Sequence, residues 1–280
     1  MGIWMEKIKN FISLVRIHEC LPLVIPVLFP IILFKRFEIS LMNLLLYASF
    51  ITIYGFVIND IADANLDKLN AQNRNPISKS KLSKYHATLF SFLMLSIALY
   101  FLLLLPPMHI ILGIFVATLY ILYSFVFKAK SRPIFDLVFH GLPPSLFFIM
   151  GYILYGHFDI TSLIIAFAIF FLSSIAELLQ EIRDFDSDRK IIVNTVIRLG
   201  QEASIKLSIV FLTASTFSAL YLIYIGLFSS KLLIGFPLLY LIFSPLFTSL
   251  HNKKIRKKLI YIYSKWVVLL TIIFIFLTFI

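Results

Sequence analysis

Leu41-Met-Asn-Leu-Leu-Leu-Tyr-Ala-Ser-Phe-Ile-Thr-Ile-Tyr-Gly-Phe-Val-Ile58 carries no charged side chain, and the chain passes straight from it into Asn59-Asp60-Ile-Ala-Asp63-Ala-Asn-Leu-Asp67. An apolar run of that length fits a membrane-spanning helix, for which roughly 20 mainly apolar residues are needed. A membrane admits only helices and closed barrels, and a barrel strand would alternate polar and apolar residues. The run does not alternate, and neither does Trp266 to Ile280. The whole chain agrees: its 280 residues are 60% apolar and 14% charged, where soluble chains carry about 25% charged residues. The fold class is therefore all-α, a multi-spanning membrane protein.

Cutting the chain at charge clusters and at Pro or Gly gives nine spanning segments, over 11–34, 41–58, 85–105, 109–127, 134–155, 161–180, 203–226, 231–249 and 259–280. Lys7, Lys9 and Arg16 precede the first, but no small-residue cleavage site follows it, so it reads as a spanning helix and not as a secretory signal. Pro22, Pro26 and Pro30 predict a bend within it. Nine helices with the N-terminus in the cytoplasm place every one of the 25 Lys and Arg on the inner side except Lys35, Arg36 and Lys231. That is the sorting expected of cytoplasmic loops. Residues 1–280 then form one transmembrane domain in the cell membrane, around a central apolar cavity. The basic excess is spread over short membrane-flanking segments, which excludes nucleic acid as its partner. The single cysteine, Cys20, excludes an internal disulfide and a thiolate-rich metal site, so any metal is held by oxygen or imidazole.

Charge sorting does not explain the acids. Half of the 14 Asp and Glu lie in two short inner segments, Asn59-Asp60-Ile-Ala-Asp63-Ala-Asn-Leu-Asp67 and Gln180-Glu181-Ile-Arg-Asp184-Phe-Asp-Ser-Asp188. Both read amide, acid, two residues, acid, three residues, acid. On a helix these spacings put Asp60, Asp63 and Asp67 on one face and Glu181, Asp184 and Asp188 on one face, with Asp186 turned elsewhere. One such stripe alone reads equally well as a solvated helix end. Two copies, each repelling itself at i, i+3 and i+4, call for a neutralising cation. Oxygen ligands with positions left for phosphate favour Mg²⁺. Lys68, Arg74, Arg183 and Arg189 stand beside the stripes and suit a phosphorylated ligand. Together they describe a diphosphate site at the mouth of the apolar cavity.

These segments resemble the UbiA-type intramembrane prenyltransferases. The first is similar to the family's NDxxDxxxD motif, with Arg74-Asn75-Pro76-Ile77 as its following basic-polar-proline loop. The second resembles the DxxxD motif in Asp184 to Asp188, followed by Thr195 and Leu199-Gly200. Tyr123-Ser124 with Lys128, and Gly141-Leu-Pro-Pro144, resemble two further family segments. Glu181, Ile192 and Thr195-Val-Ile depart from the common Asp, Gly and Thr-Leu-Pro, which leaves the acceptor open.

The resemblance implies Mg²⁺-dependent transfer of a polyprenyl group from a polyprenyl diphosphate to an aromatic or lipid acceptor, at a site facing the cytoplasm, with no obligate protein partner. Asp63, Asp67, Asp184 and Asp188 become the catalytic carboxylates, and with Asp60 and Glu181 the metal ligands. Asn59, Lys68, Arg74, Lys128 and Tyr123 become substrate contacts, Tyr123 through its ring face. Arg16 reads either as a cavity residue or as an interfacial one with its head in the water layer. Glu177, one turn inside Glu181, reads as an acceptor contact or a structural group; His18, Glu19 and His140 are weaker candidates of the same kind. Two competing readings remain, a transporter and an inactive isoprenoid-binding relative. Transporters set ionisable groups near the bilayer midplane, often on broken helices. Here the acids lie at helix ends on one side.

Overall fold

The computed structural model describes residues 10–68, 75–156, 158–227, 244–256, 258–263 and 265. Among the described residues it is all-helical, with seven helices long and apolar enough to cross a membrane. These are α1 (Asn10–Phe34), α2 (Ile39–Asp67), α3 (Lys84–Leu103), α4 (Pro107–Val126), α5 (Phe135–Ile153), α6 (Ile160–Asp188) and α7 (Gln201–Tyr224). The expected eighth and ninth segments fall mostly on 228–243 and 266–280, outside the described residues.

The first span is divided, as its prolines predict. A break at Arg16, whose φ is 50°, precedes the helical piece Ile17–Val24, a 3₁₀ turn at Ile25–Leu28 and a final piece at Phe29–Phe34. Pro26 and Pro30 sit at the starts of the second and third pieces, where a missing N–H costs least. The sharpest backbone departure is at Arg16, which no proline marks.

α2 and α6 are the long members, 29 residues each. At 1.5 Å per residue each is about 43 Å long. A hydrocarbon core is about 30 Å thick, so each helix is long enough to stand beyond it. The expected spans 41–58 and 161–180 continue in the structure through the acidic segments, which are the ends of these helices as their spacing requires. An Asp159 capping box starts α6, with the Asp159 carboxylate accepting from Ser162 N–H at 2.8 Å.

α2 packs chiefly on α3, and α6 on α5 and α7, so the two long helices hold corresponding places in the bundle. Between them, α1 lies against α2 and α5, and α4 against α2 and α5. One core gathers α1 to α5 around Tyr47, Ile51 and Phe147. A second joins α5, α6 and α7 around Leu178 and Leu179. Close approach needs small residues here: a Cβ on Gly55 of α2 would stand 2.4 Å from the Tyr120 ring of α4. Phe92 and Tyr100 of α3, Ile111 of α4 and Phe217 of α7 are more than half exposed. Lipid is the solvent for such a surface, which water would not tolerate.

Candidate active site

A cavity of about 530 Å³ opens between the ends of α2 and α6, walled also by α1, α4 and α5. Both acidic stripes face it. Asp60, Asp63 and Asp67 line one wall, Glu181, Asp184 and Asp188 the other, and Glu177 lies one turn further in. Asn59 lines it too, whereas Asp186 is exposed and outside it. The helical spacing produces this division directly, because both segments remain in regular α-helix to their third carboxylate.

Three permanent cations line the same cavity, Arg16, Lys130 and Arg183. Arg16 forms an ion pair with Asp60 and stands 3.6 Å from Glu19 Oε2, and its buried Nε has no partner among the described residues. The left-handed backbone at Arg16 swings its side chain inward from the break in α1. Arg183 grips Asp184 with two hydrogen bonds, of 2.8 and 2.6 Å.

Lys130 Nζ lies 3.5 Å from Asp63 Oδ2. Burial opposes its charge, but the fields of Asp63, Asp67 and Asp188 outweigh that cost and hold its ammonium above the ordinary lysine value. α4 ends in a π turn at Leu122–Val126, and Lys128 then takes a left-handed φ of 46°. That geometry leaves Lys128 exposed and carries Lys130 to the cavity in its place. Lys68 is also exposed and outside the lining, and Arg74 lies outside the described residues.

Asn75, only 1% exposed, ties down the end of α2. Its Nδ2 donates to the Asp60 carbonyl at 2.7 Å and to Asp67 Oδ2 at 2.8 Å, while its Oδ1 accepts from Ile77 N–H. The end of α6 is braced differently. Asp136, fully buried near the start of α5, accepts from Thr195 N–H and Thr195 Oγ1, each at 2.6 Å. Glu181 lies beside Asp136 and accepts from Val196 N–H at 3.1 Å through Oε2; its buried Oε1 has no partner among the described residues. Asn194 caps the same short helix, Thr195–Leu199, by accepting from Ile197 N–H. The sequence offered no motif for Asp136, whose only signal is its place one helical turn before His140.

Inward from the carboxylates the wall becomes apolar, with Leu23, Phe56, Phe139 and Pro143 alongside the rings of Tyr120 and Tyr123. Tyr123 belongs to the π turn and lies within the fields of Glu177, Asp63 and Glu181. His140 Nδ1 is 3.0 Å from Glu177 Oε2.

Seven lining carboxyl groups outnumber the three fixed cations and leave the cavity negative. An anionic headgroup enters such a site only with added positive charge. No three carboxylate, imidazole or thiol groups among the described residues stand close enough to enclose an ion by themselves. All-oxygen donors spread over two walls do suit a hard cation that takes its remaining ligands from phosphate. The unpartnered Glu181 Oε1 is one oxygen free for that purpose.

Residues 23–269 match the model of the UbiA prenyltransferase family. The digeranylgeranylglyceryl phosphate synthase of Methanococcus aeolicus is 27% identical over 234 residues, 82% of each chain. That of Methanocaldococcus jannaschii is 26% identical over 208 residues, 72% of each chain. Among solved structures, a UbiA homolog from Archaeoglobus fulgidus bound to GPP and Mg²⁺ superposes with a TM-score of 0.77 at 19% identity, covering 96% of this chain and 99% of that one. The similarity in three dimensions establishes the shared fold.

Proposed function

The chain belongs to the UbiA prenyltransferase family, and we propose that it moves a polyprenyl group from its diphosphate to the glycerol hydroxyl of a polyprenylglyceryl phosphate, with Mg²⁺ bound between α2 and α6. One observation carries the reading: two carboxylate stripes face each other across a cavity that is negative at its mouth and apolar within. A donor with a diphosphate head and an isoprenoid tail has that polarity. The Archaeoglobus fulgidus homolog, bound to GPP and Mg²⁺, supports the donor and the metal. The names of the two methanogen relatives support a glyceryl phosphate lipid as acceptor.

Asp60, Asp63, Asp67, Asp184, Asp188 and Glu181 are the residues that would hold the metal, with Arg16 on Asp60 and Arg183 on Asp184 already meeting part of their charge. Mg²⁺ held there would supply Lewis acidity to the diphosphate oxygens. The chain's own groups do the rest. Lys130 and Arg183 bring positive charge to the departing diphosphate, fixed in place before reaction and so without reorganisation cost. The Tyr123 ring presents a π face to the allylic carbon as it becomes positive. The apolar wall keeps water from that carbon, and each buried CH₂ of the tail contributes about 0.8 kcal/mol to donor binding. A permease would keep its ionisable groups near the midplane; here they gather at the last turns of two helices, which favours chemistry on a headgroup.

The test is transfer from labelled geranylgeranyl diphosphate to geranylgeranylglyceryl phosphate by purified protein in detergent. Transfer should cease in excess chelator and return with Mg²⁺. Full turnover in excess EDTA overturns the metal assignment, and donor binding without transfer to any acceptor would show an isoprenoid-binding protein.

A further inference from the structure

We propose that His140, held by Glu177, accepts the proton of the acceptor's hydroxyl. This role rests on the transfer reaction proposed above and adds to it the group that completes the ether bond. Alkylating an alcohol oxygen needs a proton acceptor, because the alcohol is a weak nucleophile and the alkylated oxygen a strong acid until it loses its proton.

α5 and α6 meet in two successive rungs. Asp136 lies beside Glu181, and one turn further in, about 6 Å along both helices, His140 faces Glu177 at 3.0 Å. The outer rung is committed: both Asp136 oxygens accept hydrogen bonds from Thr195 and the residue is fully buried. The inner rung opens on the cavity, and 17% of the His140 side chain remains exposed there. It sits on the tail side of the carboxylate stripes, where the reacting carbon lies once the diphosphate is at the mouth. In the neutral imidazole, a carboxylate at Nδ1 keeps the proton on that nitrogen and leaves the lone pair on Nε2. The other cavity groups are less suited to the task. Lys130 is held protonated, the stripe carboxylates are assigned to the metal in the reading above, and the Tyr123 phenol is not a base.

The step balances. The allylic C–O bond breaks with its electron pair leaving on diphosphate, a lone pair of the acceptor oxygen forms the new C–O bond, and the hydroxyl proton passes to His140 Nε2. The resulting imidazolium faces the Glu177 carboxylate, and the proton then leaves to water at the mouth.

The experiment compares wild type, His140→Gln and Glu177→Gln with labelled geranylgeranyl diphosphate and geranylgeranylglyceryl phosphate. It then repeats the comparison with an acceptor analogue bearing a thiol in place of the hydroxyl. His140→Gln should lower kcat about 100-fold or more and Glu177→Gln less, while binding of the labelled donor stays within about threefold of wild type. The thiol analogue, which ionises far more readily, should restore His140→Gln by at least about tenfold relative to the alcohol. Unchanged kcat in His140→Gln, loss of donor binding together with transfer, or equal damage with alcohol and thiol would each overturn the role of His140. Wild type that transfers to no hydroxyl acceptor would overturn the transfer reaction itself, a result distinct from the other three.

Discussion

Asp184 and Asp186 are two residues apart on one helix, yet one lines the cavity beside Arg183 and the other is exposed outside it. Two residues are about 200° of helical rotation, so neighbouring carboxylates with the same intrinsic chemistry receive opposite surroundings. Asp63→Asn and Asp184→Asn keep the side chain's size and remove its charge. Each should lower turnover by about 100-fold or more if the carboxylates hold the ion that meets the leaving group's charge. Asp186→Asn should stay within a fewfold of wild type. Steady-state kinetics on the three variants, with folding checked by gel filtration in detergent, makes the comparison. Equal inactivity in Asp186→Asn would mean that the helical face has been assigned wrongly.

At the scale of elements, the end of α4 decides which lysine serves the cavity. A continuous helix through residue 127 would carry Tyr123 and the following basic residues on a regular spiral. The π turn at Leu122–Val126 adds a residue to that turn, and the left-handed Lys128 reverses the chain after it. Lys128 is therefore spent on the bend, while Lys130 reaches Asp63. Lys130→Gln should lower transfer about tenfold or more, acting on kcat in particular, and should cost clearly more than Lys128→Gln. Parallel kinetics on the two variants distinguishes them; a larger loss from Lys128→Gln would transfer the diphosphate contact to that residue. Asn75 plays the corresponding part on α2, since one buried amide joins the Asp60 carbonyl, Asp67 and the turn at Ile77.

Over the whole molecule, α2 and α6 run the same way relative to the cavity, and both end at its mouth. The mouth then shares a face with the segments in which Lys and Arg collect, and we propose that this is the cytoplasmic face. Single cysteines can test the assignment in a Cys20→Ala background, since native Cys20 is buried. Lys79→Cys and Lys190→Cys, both at exposed positions, should react with an impermeant maleimide only from the cytoplasmic side. Lys35→Cys and Phe158→Cys should react only from the other. Labelling of Lys79→Cys from outside would invert the topology.

The sequence by itself determined that this is a helical membrane protein with two carboxylate stripes on a shared side. Apolar run length, Lys and Arg sorting and helical periodicity are local quantities, and each is readable one segment at a time. It also located Asp63, Asp67, Asp184 and Asp188, because regular helix carries residues at i, i+4 to one face wherever the helix goes. Only the tertiary structure decided that the stripes face each other, that Arg16 turns into the cavity, and that Lys130 occupies the place a motif would give to Lys128. Those outcomes depend on a left-handed residue, a π turn and the meeting of helices far apart in the chain. Asp136 shows the limit most plainly: its partners Thr195 and Glu181 lie 59 and some 45 residues away, so no local pattern marks it, and burial against them alone gives it a role.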